Sequence, residues 1–396
     1  MIIKPARHRP PLLFLALLVL LVTAPAHGRV PVRTDVVNLA DNERLQALLD
    51  AAVRQGLPGV SLRVKGPGID FQGVAGKADL MTGEALTTDH VMYTASLGKT
   101  FTAAVALQLC DEGRLVLDAP ITRWLPGFMT RRIPSSGKIT LRHLLSHTSG
   151  LVDYLNDDEH WQSDFAEDPH RRWTHSDIVP YLYDRPLLFE PGSDYDYSNS
   201  NYILVGLIIE QVTGQPLHAL IRKRVLEPPG LQQTFNGNEA VIGVKRAHGY
   251  IWRHGRRIDT YPWYSHYGLA DSGINSTPAE LALFLKSLFS TGKILSKRMR
   301  MEMTNVSAPG RPPSDYGMGI YVQRNPWGAG RRWYSHDGID PGYQADMMYL
   351  PDLDLTVVLT ANASLGRMDF IYENLITAVV QLVLHAVLKD TLSERH

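Results

Sequence analysis

The chain has 396 residues, with 40 lysines and arginines against 40 aspartates and glutamates and therefore no formal net charge. With 44% hydrophobic and 20% charged residues it has a globular composition, far from disorder, and its neutrality denies it the basic face that nucleic-acid binding needs. A single cysteine, Cys110, excludes an intrachain disulfide framework and any cysteine-rich zinc or iron–sulfur centre.

Residues 1–26 read as a signal peptide. Lys4, Arg7 and Arg9 precede the apolar run Leu12–Val22, and Ala24-Pro25-Ala26 supplies a small-x-small cleavage site. The run is about 16 Å long as a helix, about half a bilayer, so cleavage and export to a periplasmic or secreted location are expected rather than a membrane span. A helix is expected around Leu45–Arg54, then strands at Gly59–Lys65 and Ile69–Val74. The middle of the chain carries helical periods, Leu97–Glu112, Tyr202–Val212 and Pro278–Phe289, each closing at or near a glycine. Strands return at Met318–Gln323, Ala345–Leu350 and Leu355–Ala361. In the closing helix Phe370–Leu388, Glu373, Thr377, Gln381 and His385 make one polar stripe, the mark of a helix lying on a core. The expected fold is mixed α/β (α+β): an antiparallel sheet built from both chain ends and flanked by helices, with a mostly helical subdomain between them. Residues 27–396 form a single domain in this reading, with sheet regions at about 40–95 and 310–390 and the helical subdomain at about 96–309.

The chain has no Gly-x-Ser-x-Gly elbow, Walker A loop, dinucleotide fingerprint or His-Glu-x-x-His. His143 and His147 have a metal-compatible spacing, but Ser146-His147-Thr148-Ser149-Gly150 is a turn, and local hydrogen bonding is the better reading of His147. With 22 serines and 11 lysines, chance supplies about 0.6 Ser-x-x-Lys sequences, and the chain has three, beginning at Ser96, Ser135 and Ser290. Only Ser96 opens a long, nearly uncharged helix, Phe101 to Cys110 and beyond, which must be buried. Three residues apart on a helix, Lys99 can reach the Ser96 hydroxyl, and burial would favour a neutral lysine base. The helix start also offers free N–H groups to a developing oxyanion. A plain N-cap serine with a solvated lysine satisfies the same pattern. Of three Tyr-x-Asn sequences, Tyr197-Ser198-Asn199 stands on a loop leading into an apolar helix, a firm support for a proton-shuttling phenol.

Taken in order, Tyr93-Thr-Ala-Ser-Leu-Gly-Lys-Thr-Phe101, Glu112-Gly-Arg-Leu-Val-Leu-Asp118, Leu144-Leu-Ser-His-Thr-Ser-Gly-Leu151, Phe189-Glu-Pro-Gly192 with Tyr197-Ser-Asn199, and Tyr316-Gly-Met-Gly-Ile320 resemble the serine β-lactamase and penicillin-binding-protein-like hydrolases. The similarity covers about Leu45–Leu388 and is nearest the class C β-lactamase and DD-peptidase branch. It implies a β-lactamase/transpeptidase-like fold, an acylated Ser96, Lys99 as its base, and Tyr197 as proton shuttle. It further implies Asn199 on the substrate's acyl side, and an oxyanion hole from the N–H groups of Ser96 and Ile339. His336-Asp337-Gly338 would be the third motif, although His266-Tyr267-Gly268 has the same outline. Asp337 departs from the family's usual hydroxyl, and facing the cleft it would repel a carboxylate; His336 in place of lysine weakens the cationic pull. The expected substrate is thus a small ester or amide, or a peptide of D-residues, with a β-lactam or DD-carboxypeptidase substrate as the alternative. No cofactor and no metal site are expected. A non-catalytic binding module on the same fold is the contrasting possibility.

Overall fold

The computed structural model describes residues 34–393 apart from 238, 240–241, 265–266, 307–313 and 325–329. The signal-peptide segment and His266 lie outside the described residues. The chain begins with helix α1 (Thr34–Gln55) and the hairpin β1 (Gly59–Gly66) and β2 (Ile69–Gly76). The helical part contains α2 (Gly98–Asp111), α3 (Asn199–Thr213) and α4 (Pro278–Phe289). Strands β3 (Ser314–Tyr316), β4 (Tyr321–Arg324), β5 (Arg332–Asp340), β6 (Tyr343–Leu350) and β7 (Leu355–Ala361) follow, and α5 (Arg367–Ser393) closes the chain. All seven strands join one antiparallel sheet in the order β2-β1-β7-β6-β5-β4-β3. The amino-terminal hairpin thus pairs with the last strand, as expected of a sheet assembled from both chain ends.

The sheet separates two cores. On one face Val60, Leu62, Val64, Val357 and Leu359 pack under α1 and α5. On the other, Met347, Tyr349 and Val358 meet the helical part. Central strand β7 is covered on both faces, which is why Leu-Thr-Val-Val-Leu-Thr-Ala reads as a continuous buried run rather than an alternation. In α2 every residue from Gly98 to Leu107 is buried, and Phe101 stacks on Phe284 of α4 with ring centroids 3.8 Å apart. A helix apolar all round belongs in the middle of such a core. In α5 the stripe Glu373, Gln381 and His385 is exposed while Leu375, Val379, Val380 and Val383 face the sheet. Arg367–Leu388 is long and apolar enough to cross a membrane by length and composition, and 56% of that window is buried inside the protein.

Two local expectations are corrected. Met318–Ile320 is a turn rather than the start of a strand: Gly319 has φ +77°, a left-handed conformation, and the Gly317 N–H closes on the Ile320 carbonyl at 2.8 Å. The helical part also carries short strands, Met92–Tyr93, Phe235–Asn236 and Ile274–Ser276 in one small sheet, and the hairpin Tyr250–Arg253 with Arg256–Asp259. Strands of two to four residues are too short for alternation to reveal.

Candidate active site

Tyr93 ends the first of these short strands, and the Thr94 N–H ties the chain to the Ile274 carbonyl at 2.9 Å. Ala95 then takes a left-handed φ of +49°, which costs an L-residue about 1–3 kcal/mol, and opens a single 3-10 turn, Ala95–Leu97. Ser96 therefore sits two positions before α2, on a turn feeding it, rather than in its first turn. Its neighbours from Val91 to Phe101 are buried, and Ser96 alone among them is half-exposed, so the one hydroxyl available to a ligand stands on an otherwise sealed segment.

Lys99 is fully buried, with its Nζ donating to Ser96 Oγ (3.1 Å), Asn199 Oδ1 (2.7 Å) and the Asp271 carbonyl (2.6 Å). Burial drives its ammonium down to about 8, against the opposing charges of Asp271, Asp153, Asp340 and Asp337. Three acceptors hold the amine at the serine while the missing solvent makes its neutral form accessible.

Tyr197 and Asn199 come from the loop entering α3. The segment 146–154 clamps that loop. The Ser198 N–H and Asn201 Nδ2 donate to His147 Nδ1 (3.2 and 3.1 Å), and the Ser198 and Ser200 hydroxyls donate to the Val152 carbonyl (3.1 and 2.6 Å). The His147 ring stacks on Tyr197, centroids 4.1 Å apart. Burial holds the Tyr197 phenol well above its ordinary range, with the nearby Ser96 hydroxyl working against that rise. Lys99 Nζ lies 5.0 Å from the Tyr197 ring centre. Asn199 uses both ends of its amide internally: Oδ1 accepts from Lys99, and Nδ2 donates to the Asp153 carboxylate at 3.2 and 3.0 Å. Lys99 and Asp153 thus fix the orientation of the amide at the serine.

The third wall is the edge of β5. Its pairing with β4 stops at Ser335–Tyr321, so residues 336–340 have a partner strand only on the β6 side. Asp340 and Tyr343 close the tight hairpin to β6, and hydrogen-bond direction alternates along a strand, so the Ile339 N–H points out of the open edge. A Cβ on Gly338 would lie 2.4 Å from the Thr94 carbonyl oxygen and 3.0 Å from the Ser96 nitrogen; only glycine lets this edge approach the serine turn so closely. His336 is buried, its Nδ1–H donating to the Asp337 carbonyl (2.7 Å) and its Nε2 meeting the Tyr316 hydroxyl (3.0 Å). It is a brace along the edge among Tyr197, Tyr316 and Tyr321.

Asp337 does not face the serine. Side chains alternate along a strand, so Asp337 stands on the sheet face opposite to His336 and Gly338. There it lies directly across from Asp346 of β6, on the side covered by Tyr372 of α5. Burial raises both carboxyls, and the Asp337 charge adds to the rise at Asp346. The expected repulsion of a substrate carboxylate by Asp337 loses its geometric basis.

Sequence reasoning missed Asp153, His147 as the support of Tyr197, and Asp271, whose carbonyl holds Lys99. Asp153 carries no spacing signal, since its link to Asn199 spans 46 positions. His143 and His147 serve separate ends of one turn: the Thr140 N–H donates to His143 Nδ1 at 3.3 Å, capping the short helix Leu141–Leu145. No group of three metal-ligating side chains occurs among the described residues.

The sequence profile of the beta-lactamase family matches residues 43–381. The chain belongs to the beta-lactamase family. A penicillin-binding protein of Bacillus subtilis (strain 168) is 30% identical over 319 residues, 77% of this chain and 68% of that protein. Esterase EstB of Burkholderia gladioli is 34% identical over 212 residues, which is 50% of this chain and about half (52%) of the esterase. Among solved structures, the D-amino acid amidase of Ochrobactrum anthropi SV3 in complex with L-phenylalanine is 27% identical with a TM-score of 0.75, covering 88% of this chain and 99% of the amidase chain. The chain is therefore a hydrolase of the serine β-lactamase type, in a family whose members include esterases, amidases and penicillin-binding proteins.

Proposed function

We propose that this protein is an exported serine hydrolase that cleaves a small ester or amide through an acyl-enzyme on Ser96. The single observation that carries this reading is the convergence of Lys99 Nζ and the Tyr197 phenol on the one half-exposed hydroxyl of a buried segment. Neutral Lys99 takes the Ser96 proton as Oγ attacks the substrate carbonyl. The tetrahedral oxyanion is held by the N–H groups of Ser96 and Ile339 across the contact that Gly338 permits. Tyr197 passes a proton to the leaving group and is reprotonated from Lys99; water then attacks the ester by the reverse route. Because burial keeps the phenol protonated, Tyr197 serves as a relay and Lys99 as the base. Asn199 and Asp153 act as positioning residues for the amine. An extended acyl chain can hydrogen-bond along the open edge of β5, as an added strand would. A panel of an aryl ester, a D-amino-acid amide and a cephalosporin tests the reading. Ester or amide turnover supports it; cephalosporin turnover alone would assign a β-lactamase, and none with any of the three would leave a binding module.

The base has a pH signature. Lys99 ionises at about 8 in the folded protein, and its competent form is the neutral one. Acylation is expected to rise with pH, tenfold per unit below about 8, and to level off above it. A profile falling through this range would remove Lys99 from the role.

Gly338→Ala tests the oxyanion wall. The added methyl would meet the Thr94 carbonyl at 2.4 Å and push the edge away from Ser96. Loss of one oxyanion donor costs about 100-fold to 1000-fold in kcat, so aryl-ester turnover should fall by that order while circular dichroism still reports a folded protein.

A further inference from the structure

Asp340 is a buried-side carboxylate that the mechanism leaves unused. It shares the β5 face of His336 and Gly338, two residues and about 7 Å beyond Gly338, and is half-exposed. Its surroundings are aromatic. Its cross-strand partner Tyr343 packs against Tyr93, three residues before Ser96, and against Tyr264, with ring centroids 5.8 and 6.1 Å apart, and Tyr93, Tyr264 and Tyr267 all feel its charge. These rings pack together, Tyr93 against Tyr264 with centroids 4.5 Å apart and Tyr264 against Tyr267 at 6.1 Å. Among the described residues no arginine, lysine or histidine forms an ion pair with Asp340. The Lys99 charge acts on Asp340, but Lys99 is committed to Ser96, Asn199 and the Asp271 carbonyl. Burial, with Asp271 adding, pushes the Asp340 carboxyl up to about 7, as befits an acid lacking a counter-ion. A half-exposed carboxylate set among tyrosine rings attracts an organic ammonium by charge and by cation–π contact.

We propose that Asp340, with the tyrosines around it, is the counter-ion for a protonated amine on the acyl half of the substrate, so that the Ser96 site selects amino-acyl esters or amides over uncharged acyl groups. This rests on the hydrolase reading above. With the substrate carbonyl between the Ser96 and Ile339 N–H groups, a substituent on its α-carbon lies along β5 within reach of residue 340.

The test compares phenylalanine amide, in each enantiomer, with 3-phenylpropionamide, which lacks only the amine. In the wild type, kcat/KM is expected to favour an amine-bearing amide at least 30-fold. Asp340→Asn should bring the ratio below about 3, mainly through KM, and leave 3-phenylpropionamide turnover within about threefold. Calorimetric binding of the same amides to the Ser96→Ala variant reads the subsite without any hydrolysis and should show the same preference, again abolished by Asp340→Asn. Equal wild-type binding of the charged and uncharged amides, or a preference that survives Asp340→Asn, overturns the proposal. Preferential binding without turnover by the wild type would retain the subsite and count against the hydrolase reading instead.

Discussion

Ser96→Ala is expected to reduce aryl-ester turnover by at least about four orders of magnitude and to abolish covalent labelling by a serine-directed probe. Every other residue of the Val91–Phe101 segment is buried, so no other hydroxyl on it can take over. The substitution removes one oxygen from a half-exposed position and one hydrogen bond to Lys99, so the melting temperature should move by only a few degrees. Removing a nucleophile leaves whatever rate its oxyanion donors and binding contacts supply, which sets the size of the residual activity. Labelling equal to that of the wild type would refute the assignment of Ser96.

Replacing the proton-transfer groups should cost nearly as much but in different ways. Lys99→Met removes the base, so acylation should fall about 1000-fold or more and the rise of rate with pH toward about 8 should vanish with it. The same change takes a donor away from Asn199 Oδ1 and the Asp271 carbonyl, both buried, and some loss of stability is expected. Tyr197→Phe keeps the ring that stacks on His147, so the fold should hold. It removes the hydroxyl that delivers a proton to the departing group. The rate should therefore drop most for poor leaving groups such as amides and least for an activated aryl ester. Stopped-flow acylation with the two substrate types separates the variants. A uniform loss across leaving groups would make Tyr197 a positioning residue only.

Sequence carried the local half of the site. Ser96 and Lys99 are three residues apart at the entry to a run whose all-round apolarity marks burial, and the 3-10 turn that carries Ser96 into α2 keeps them neighbours. Other long helices and sheet strands are legible through periods of 3.6 and 2 that persist over several turns or pleats, whereas α2 and β7 show as unbroken apolar runs. What stayed hidden depends on long-range contact. Asp153 meets Asn199 across 46 positions, and Asp271 meets Lys99 across 172, with no pattern linking either pair in the chain. The orientation of Asp337 stays open in the sequence because a motif gives the order of residues but not which sheet face each one takes. The register Asp337–Asp346 turns it toward α5, and the same alternation brings Asp340, which no motif marks, to the side of the serine. For Asn199 the position in Tyr-Ser-Asn is visible in the sequence, and its two internal partners, Lys99 and Asp153, are not.

The most direct measurement is intact-protein and peptide mass spectrometry of the enzyme quenched during turnover of an aryl ester. The acyl group should add its mass once per chain and map to the peptide containing Ser96, at a level that rises when Tyr197→Phe slows the return of the proton during deacylation. Turnover with the adduct on another residue, or turnover with no adduct at any quench time in either protein, would contradict the account.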